Sequence, residues 1–313
     1  MDIRVFDHGQ LDTVFRALRT ALSPAGALEP AETAFLRTYA EISGYALPSS
    51  APEPIAPRDV HVEGEHPRKR LVQLAAMAAM LHRPVRESSV VFVRELARHL
   101  AVAEPVLPVL EALSKGQRTK ARLLTARRGL SQLLAEAYDA EGVWGVLRFG
   151  GALLFQARVN RDRYSVYKRL GLLPEGTLGR EYWKHITELG YGFPGEPGGI
   201  PESVVYHDIG HVLAGNDTTP MGEIQQGSFQ GGNRRRDGFF FVQFVLLQFH
   251  QGIQLTPVAA PEVGYFDPGK VLWAIHRGAM CSVDITHRWD FWSLMPLPLA
   301  EARARCNLLP KVA

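Results

Sequence analysis

The sequence predicts an all-α protein, a helical bundle preceded by a smaller helical domain. Three observations predict it. Apolar residues recur at three- and four-residue spacing, Pro and Gly clusters cut these stretches into helix-sized lengths, and no strand-rich region appears. At 313 residues, 46% hydrophobic and 21% charged, the chain has room for more than one domain and the composition of a globular protein.

The first helix covers residues 11–22, where Leu11, Val14, Phe15, Leu18 and Leu22 share a face, and Ser23-Pro24-Ala25-Gly26 breaks it. A second starts at Pro30, a residue suited to a first turn, carries Phe35, Leu36, Tyr39 and Ile42, and stops at Gly44. Pro48, Pro52, Pro54 and Pro57 mark an extended linker, because proline cannot continue a helix. Pro67 opens a third helix that is apolar nearly all round from Leu71 to Leu81, the pattern of a helix at the centre of a bundle. The fourth spans residues 85–102, with Val90, Val93, Leu96 and Leu100 on one stripe, and short segments follow at Pro105 and Pro108.

Residues 115–129 form a basic connector carrying Lys115, Arg118, Lys120, Arg122, Arg127 and Arg128 without an acid. It reads either as a patch for an anionic membrane surface or as the solvated face of a joining helix. Without aromatic interleaving it does not read as a nucleic-acid site. Helices resume over residues 130–170, with Leu130, Leu133, Leu134 and Tyr138, then Val143 to Val159; Phe149-Gly150-Gly151 there suggests close packing rather than a phosphate loop. A Gly- and Pro-rich loop between Gly190 and Gly199 leads to the most informative stretch.

That stretch is Tyr206 to Glu223. On a helix His207 and His211 project from one face a turn apart, Asp208 lies one position round, and Glu223 opens the next helix after a Gly-containing turn. Two imidazoles with one or two carboxylates suit a divalent ion, zinc first among them, and leave room for water or substrate. Such groups cost free energy when buried unless they are paired or bound to metal. Tyr206 and Asp217 flank the set and could orient it. His250 and His276 stand alone and read as packed or surface residues. Beyond lies the basic turn Arg234-Arg235-Arg236, then the aromatic run Phe239 to Phe249, which reads as a core helix.

The pattern His207-Asp208-x-x-His211, eleven residues, then Glu223 resembles the metal motif of the Coq-four family of ubiquinone (coenzyme Q) biosynthesis proteins, with Gly215 and Gly222 also in place. Leu173 to Tyr182 is similar to the segment leading into that family's metal helix. His276-Arg277-Gly278, and Trp289 to Arg303 with Pro298-Leu299, are similar to its C-terminal close. The resemblance covers about residues 130–310, within a domain read as residues 130–313. In the N-terminal third, Leu28 to Leu36 and the buried third helix resemble tellurite-resistance TerB-like domains, but Ala25-Gly26 stands where that family has an acidic loop. Residues 1–114 are therefore read as an accessory or partner-binding domain.

The resemblance implies a metal-dependent protein handling polyprenylated quinone precursors at a membrane surface, with oxidative decarboxylation at C1 of a prenylated aromatic as its reaction. It implies His207, Asp208, His211 and Glu223 as metal ligands, Asp208 and Glu223 as catalytic groups, and Arg277 as a substrate contact. Partners would be the prenylated precursor, a membrane surface and other quinone biosynthesis proteins, with homo-oligomerisation open and nucleic acid excluded. The alternative is a non-catalytic scaffold that shelters a prenyl lipid. A third reading, an HD-type phosphohydrolase, shares His207-Asp208 but needs an upstream histidine and a distant aspartate.

Cys281 and Cys306 form no disulfide framework or C-x-x-C, which suits a reducing cytoplasm. The opening Met-Asp-Ile-Arg-Val-Phe-Asp lacks an apolar leader, and the run from Phe239 to Phe249, interrupted by Gln243 and Gln248, is too short to span a bilayer. A cytoplasmic protein, peripheral at the inner face of a membrane, is the expected location.

Overall fold

A computed structural model describes residues 1–132, 161–197, 199, 202–256, 259–286 and 289–311. All regular elements among them are helical. Among the described residues the ladder-type contacts are isolated bridges, Thr177 with Pro298 and Gln251 with Val263. Most of the stretch expected to be helical over residues 130–170 lies outside the described residues, including the Phe149-Gly150-Gly151 bend.

Helix α1 (Leu11–Leu22) buries Leu11, Val14, Phe15, Leu18 and Leu22 on one face, as the spacing predicts. Helix α2 (Pro30–Ser43) starts with a reciprocal cap between Glu29 and Glu32, has Pro30 in its first turn, and ends at Gly44. Helix α3 (Glu65–Ala79) begins two residues before Pro67, because a proline within the first turn gives up no helical hydrogen bond. Every residue from Arg70 to Ala79 is buried, so α3 is the central helix of the N-terminal bundle. Around it stand α4 (Glu87–His99), α5 (Leu107–Ser114) and α6 (residues 118–132).

Helix α6 contains most of the basic connector. Lys115, Arg118, Lys120, Arg122 and Arg127 are exposed. Arg128 is instead drawn inward, donating to Asp237 and, at 2.6 Å, to Gln243 Oε1, with Glu104 3.5 Å away. The Glu104 side chain is fully buried, so its charge depends on Arg128 and on Gln73 Nε2 at 2.9 Å. Arg128→Met keeps the aliphatic stem and strands that carboxylate, which is expected to cost about 3 kcal/mol in a denaturant titration. A loss below about 1 kcal/mol would show that water already compensates Glu104.

The C-terminal half continues with α7 (Arg161–Arg169), α8 (Leu178–Glu188), α9 (Glu202–Ala214), α10 (Pro220–Asn233), α11 (Phe239–Phe249), α12 (Pro268–Met280) and α13 (Leu299–Arg305). Two apolar clusters organise it. One joins α1–α5 to Phe239, Val242, Leu246 and Phe249 of α11 and to Val271, Leu272 and Ile275 of α12. The aromatic run is therefore a core helix packed on the N-terminal bundle. Its two glutamines are cross-ties: Gln243 Nε2 donates to Thr125 Oγ1 at 3.1 Å, and Gln248 Nε2 donates to Ala259 O at 2.8 Å. The second cluster, with Tyr167, Tyr182, Ile186, Ile209, Leu213 and Phe291, fixes α9 against α8.

The lone histidines are structural. Phe266 N donates to His250 Nδ1 at 3.1 Å, which leaves Nε2–H for Leu81 O at 3.1 Å, and burial lowers its pKa to about 4. His276 is also buried. No described helix is long and apolar enough to cross a membrane.

Candidate metal centre

Helix α9 carries His207 and His211 on one face, and its C-terminal end is heavily braced. Four carbonyls in its last turn and just beyond lack helical partners. Three cations supply them. Arg303 donates to Leu213 O (2.8 Å) and Val212 O (3.1 Å), Arg277 to Ala214 O (3.1 Å), and Lys311 to Gly215 O (2.9 Å). Positive charge at a helix C-terminus also opposes the negative end of its dipole. Gly215 turns the chain in the left-handed conformation at φ 70°.

The chain re-enters a helix four residues on. Asp217 Oδ1 accepts from Thr219 N at 2.9 Å, and Thr219 Oγ1 accepts from Gly222 N at 3.1 Å, which starts α10 with Glu223 in its first turn. Glu223 thereby faces both imidazoles, with Oε2 3.4 Å from His207 Nε2 and Oε1 3.5 Å from His211 Nε2. The two Nε2 atoms are 3.0 Å apart. One ligand atom from each of these three residues lies within 4.8 Å of the others.

The outer ring nitrogens decide what this arrangement can hold. His211 Nδ1 lies 3.1 Å from Asn216 O, a carbonyl that can only accept, so Nδ1 carries the proton. His207 Nδ1 lies 3.0 Å from Gln230 Oε1, and the same assignment follows. Both Nε2 lone pairs then point at each other and at a carboxylate. Three acceptors converging on one point need a cation between them, so the residues fit a divalent ion. Without one, a proton takes its place: burial opposes charge on His207, but the bond to Glu223 and its charge prevail and raise its pKa to about 9. Burial likewise works against the Glu223 carboxylate, yet bonds from His207 and His211 hold it well below its ordinary range.

Asp208 is placed differently. It is buried at 6% exposure, its Oδ2 has no hydrogen-bond partner, and it is not part of the convergent group. Its position 100° round the helix turns it toward Tyr182, whose buried hydroxyl is also unpartnered. Burial raises the Asp208 carboxyl to about 6 although His207 and His211 pull it down. Arg277 is 4% exposed and donates to Leu309 O (3.0 Å) as well as to Ala214 O, so its guanidinium ties the end of α9 to the C-terminal segment. Tyr206 packs edge-on against Phe291 at 5.7 Å.

Other residues complete the site without any signal in sequence spacing. Gln230 orients His207 from two turns down α10. Asn216 Nδ2 donates to Gln226 Oε1 at 3.0 Å, linking the α9–α10 turn to α10. His185 of α8 stacks on His211 with ring centroids 5.6 Å apart, and burial, then the charges on His211 and His207, lower it to about 4. Its Nε2 has no partner. A cleft of about 290 Å³, lined by His185, His211, Glu181 and Glu188, opens beside these rings. His185 supplies the upstream histidine that a phosphohydrolase would need, but neither it nor Asp208 joins the convergent group. No protein-family model matches this chain, and neither does any curated protein.

Proposed function

We propose that this chain is a divalent-metal protein of ubiquinone or related prenylquinone biosynthesis, with zinc as the first candidate ion, acting in oxidative decarboxylation at C1 of a prenylated hydroxybenzoate-type precursor. The observation that carries the metal reading is the convergence of His207 Nε2, His211 Nε2 and Glu223, with both outer ring nitrogens fixed as donors. The motif His207-Asp208-x-x-His211 with Glu223, and the bracing of α9 by Arg277 and Arg303, support the choice of reaction. The same residues that resemble the family's C-terminal close hold the metal helix in place.

A bound divalent ion would supply Lewis acidity and a template for the ring carboxylate and phenol oxygens. His207, His211 and Glu223 would hold it, with Gln230 and the Asn216 carbonyl keeping the imidazoles in register. Asp208 would hold or release a proton at Oδ2, since burial places its pKa near neutrality, where a general acid–base group works best. The reaction breaks the bond from C1 to the carboxylate and releases carbon dioxide, water supplies the oxygen of the hydroxyl formed on that carbon, and the two electrons released pass to oxygen or another acceptor.

Extraction and mass spectrometry of co-purifying lipid, followed by carbon dioxide release from the prenylated aromatic, test this reading. Asp208→Asn is expected to retain metal and fold while lowering turnover about 100-fold or more. Wild-type protein that binds both metal and prenyl lipid yet releases no carbon dioxide would establish the scaffold role instead.

A further inference from the structure

The Arg234-Arg235-Arg236 turn does not fold over the metal centre. It follows α10, whose eleven residues from Glu223 to Asn233 span about 15 Å, so it stands at the opposite end of that helix. There it meets α3, and between them lies a cleft of about 320 Å³.

The cleft has an excess of positive charge. Lys69 and Arg70 of α3 and Arg234 and Arg235 line it, against the carboxylates of Asp2 and Asp237. Asp237 is engaged by Arg128 and Gln132, and Asp2 Oδ1 accepts from Arg4 N at 2.9 Å. Asp284, on the neighbouring turn, accepts from the backbone of Arg235 at 3.0 Å and of Thr286 at 3.0 Å. The Met1 amino group is turned to the carbonyls of Gly231 and Gly232.

Arg70 is the decisive residue. It is 7% exposed, and among the described residues no carboxylate lies within ion-pair distance of it. Its contacts are neutral: Nη1 donates to Gln73 Oε1 at 2.6 Å, Nη2 lies 3.2 Å from His66 Nε2, and Nε has no partner. The charges of Asp2 and Glu104 act on it from beyond ion-pair distance, and a buried guanidinium held by no direct ion pair is costly, a cost that a mobile anion would offset. Burial, then the charge of Arg70, lowers both the Met1 amino group, to about 5, and His66, as expected where the potential is positive. The start of α11 also lines the cleft at Gly238 and Phe239, and no side chain caps that helix. The positive end of an eleven-residue helix therefore adds to the field.

We propose that this cleft binds the phosphate group of a small phosphorylated molecule, with Arg70 as its buried anchor and Lys69 and Arg235 at its mouth. Guanidinium forks, a lysine point charge and a helix start are the groups that recognise phosphate oxygens. The volume lies at the lower end of small-molecule pockets, roughly 300–1,000 Å³, so the ligand extends beyond the phosphate itself. The site joins the N-terminal bundle to the end of α10 and requires nothing of the metal centre.

Calorimetric titration of the full chain with inorganic phosphate and with pyrophosphate tests the proposal, beside vesicles of phosphatidylcholine with and without phosphatidic acid. Saturable binding of pyrophosphate is expected, about tenfold weaker in Lys69→Gln/Arg235→Gln, with metal content unchanged. Both of those side chains are exposed, and Arg235 gives up only the bonds from its guanidinium to Cys281 O (3.0 Å) and Ser282 O (3.4 Å), so the double variant should fold even if Arg70→Met does not. Capture only by phosphatidic acid vesicles, lost in the double variant, would assign the phosphate to a lipid headgroup. Absence of saturable binding to all three probes, or binding that the double variant leaves intact, would overturn the site.

Discussion

Glu223→Gln is expected to reduce metal content from about one ion per chain to near zero, an affinity loss greater than about 100-fold. The substitution keeps the shape and removes the charge. Among the described residues Glu223 is the carboxylate facing both Nε2 atoms, and two neutral imidazoles alone make a poor site for a divalent ion. Elemental analysis of wild type and variant reads the result, and stoichiometric metal in the variant would sink the ligand assignment. A pH effect accompanies it. In the metal-free protein the His207 pKa is raised, so the pair with Glu223 contributes stability that is complete below about pH 6.5 and is lost as pH rises through about 9. The Glu223 carboxylate, held low, loses its contribution only in strong acid. Melting of chelated protein should therefore fall across that alkaline window, while the metal-bound form stays level because the ion has replaced the proton. In Glu223→Gln the window should move to lower pH, since burial is then opposed only by the Asp208 charge and the Gln230 bond.

The parts of this architecture legible in the sequence are those that depend on near neighbours. The i to i+4 spacing of His207 and His211 needs only a helix, and the stop at Gly44 and the burial of Arg70 to Ala79 follow from local pattern. Glu223 was readable because one short turn separates it from α9. Gln230, His185 and the inward turn of Arg128 were not. Each depends on how two helices cross, and the partners of Arg128 lie 24, 109 and 115 residues away in sequence. The resemblance singles out Arg277 as a substrate contact; that its guanidinium also donates to Ala214 O at the end of α9 and to Leu309 O is set by tertiary packing, which no local pattern carries.

The metal centre and the N-terminal bundle meet through α10 and α12 rather than through the basic connector alone. Ile224, one residue beyond Glu223, belongs to the apolar cluster of the N-terminal helices, whereas Phe229 belongs to the cluster around α9. Successive turns of α10 thus pack on different neighbours. A shift of α10 relative to α12 would move Glu223, the carboxylate of the candidate metal site, and disturb both clusters together.

Gly278→Ala tests that coupling and is expected to be strongly destabilising. A Cβ on Gly278 would lie 2.0 Å from Phe229 O and 2.8 Å from Asn233 N, both main-chain atoms of α10. The contact is reciprocal, for a Cβ on Gly232 would lie 1.9 Å from Ile275 O of α12. No side chain can rotate away to relieve either clash, so the two helices must separate. Asn233, whose side chain bonds Val283 O at 2.6 Å and Ile285 N at 2.7 Å, would be pulled from its partners at the same time. The loss should reach about 3 kcal/mol or more, at the upper end for overpacking. In a chain of this size that corresponds to a fall in Tm of roughly 5 °C. Gly9→Ala, where nothing lies within 4 Å, controls for the substitution itself and should melt with the wild type. Metal affinity should fall with Gly278→Ala even in the fraction that remains folded, because Glu223 rides on the displaced helix. A variant that melts within about 2 °C of wild type would mean that α10 and α12 do not touch backbone to backbone, and the link between the N-terminal bundle and the metal centre would have to lie elsewhere.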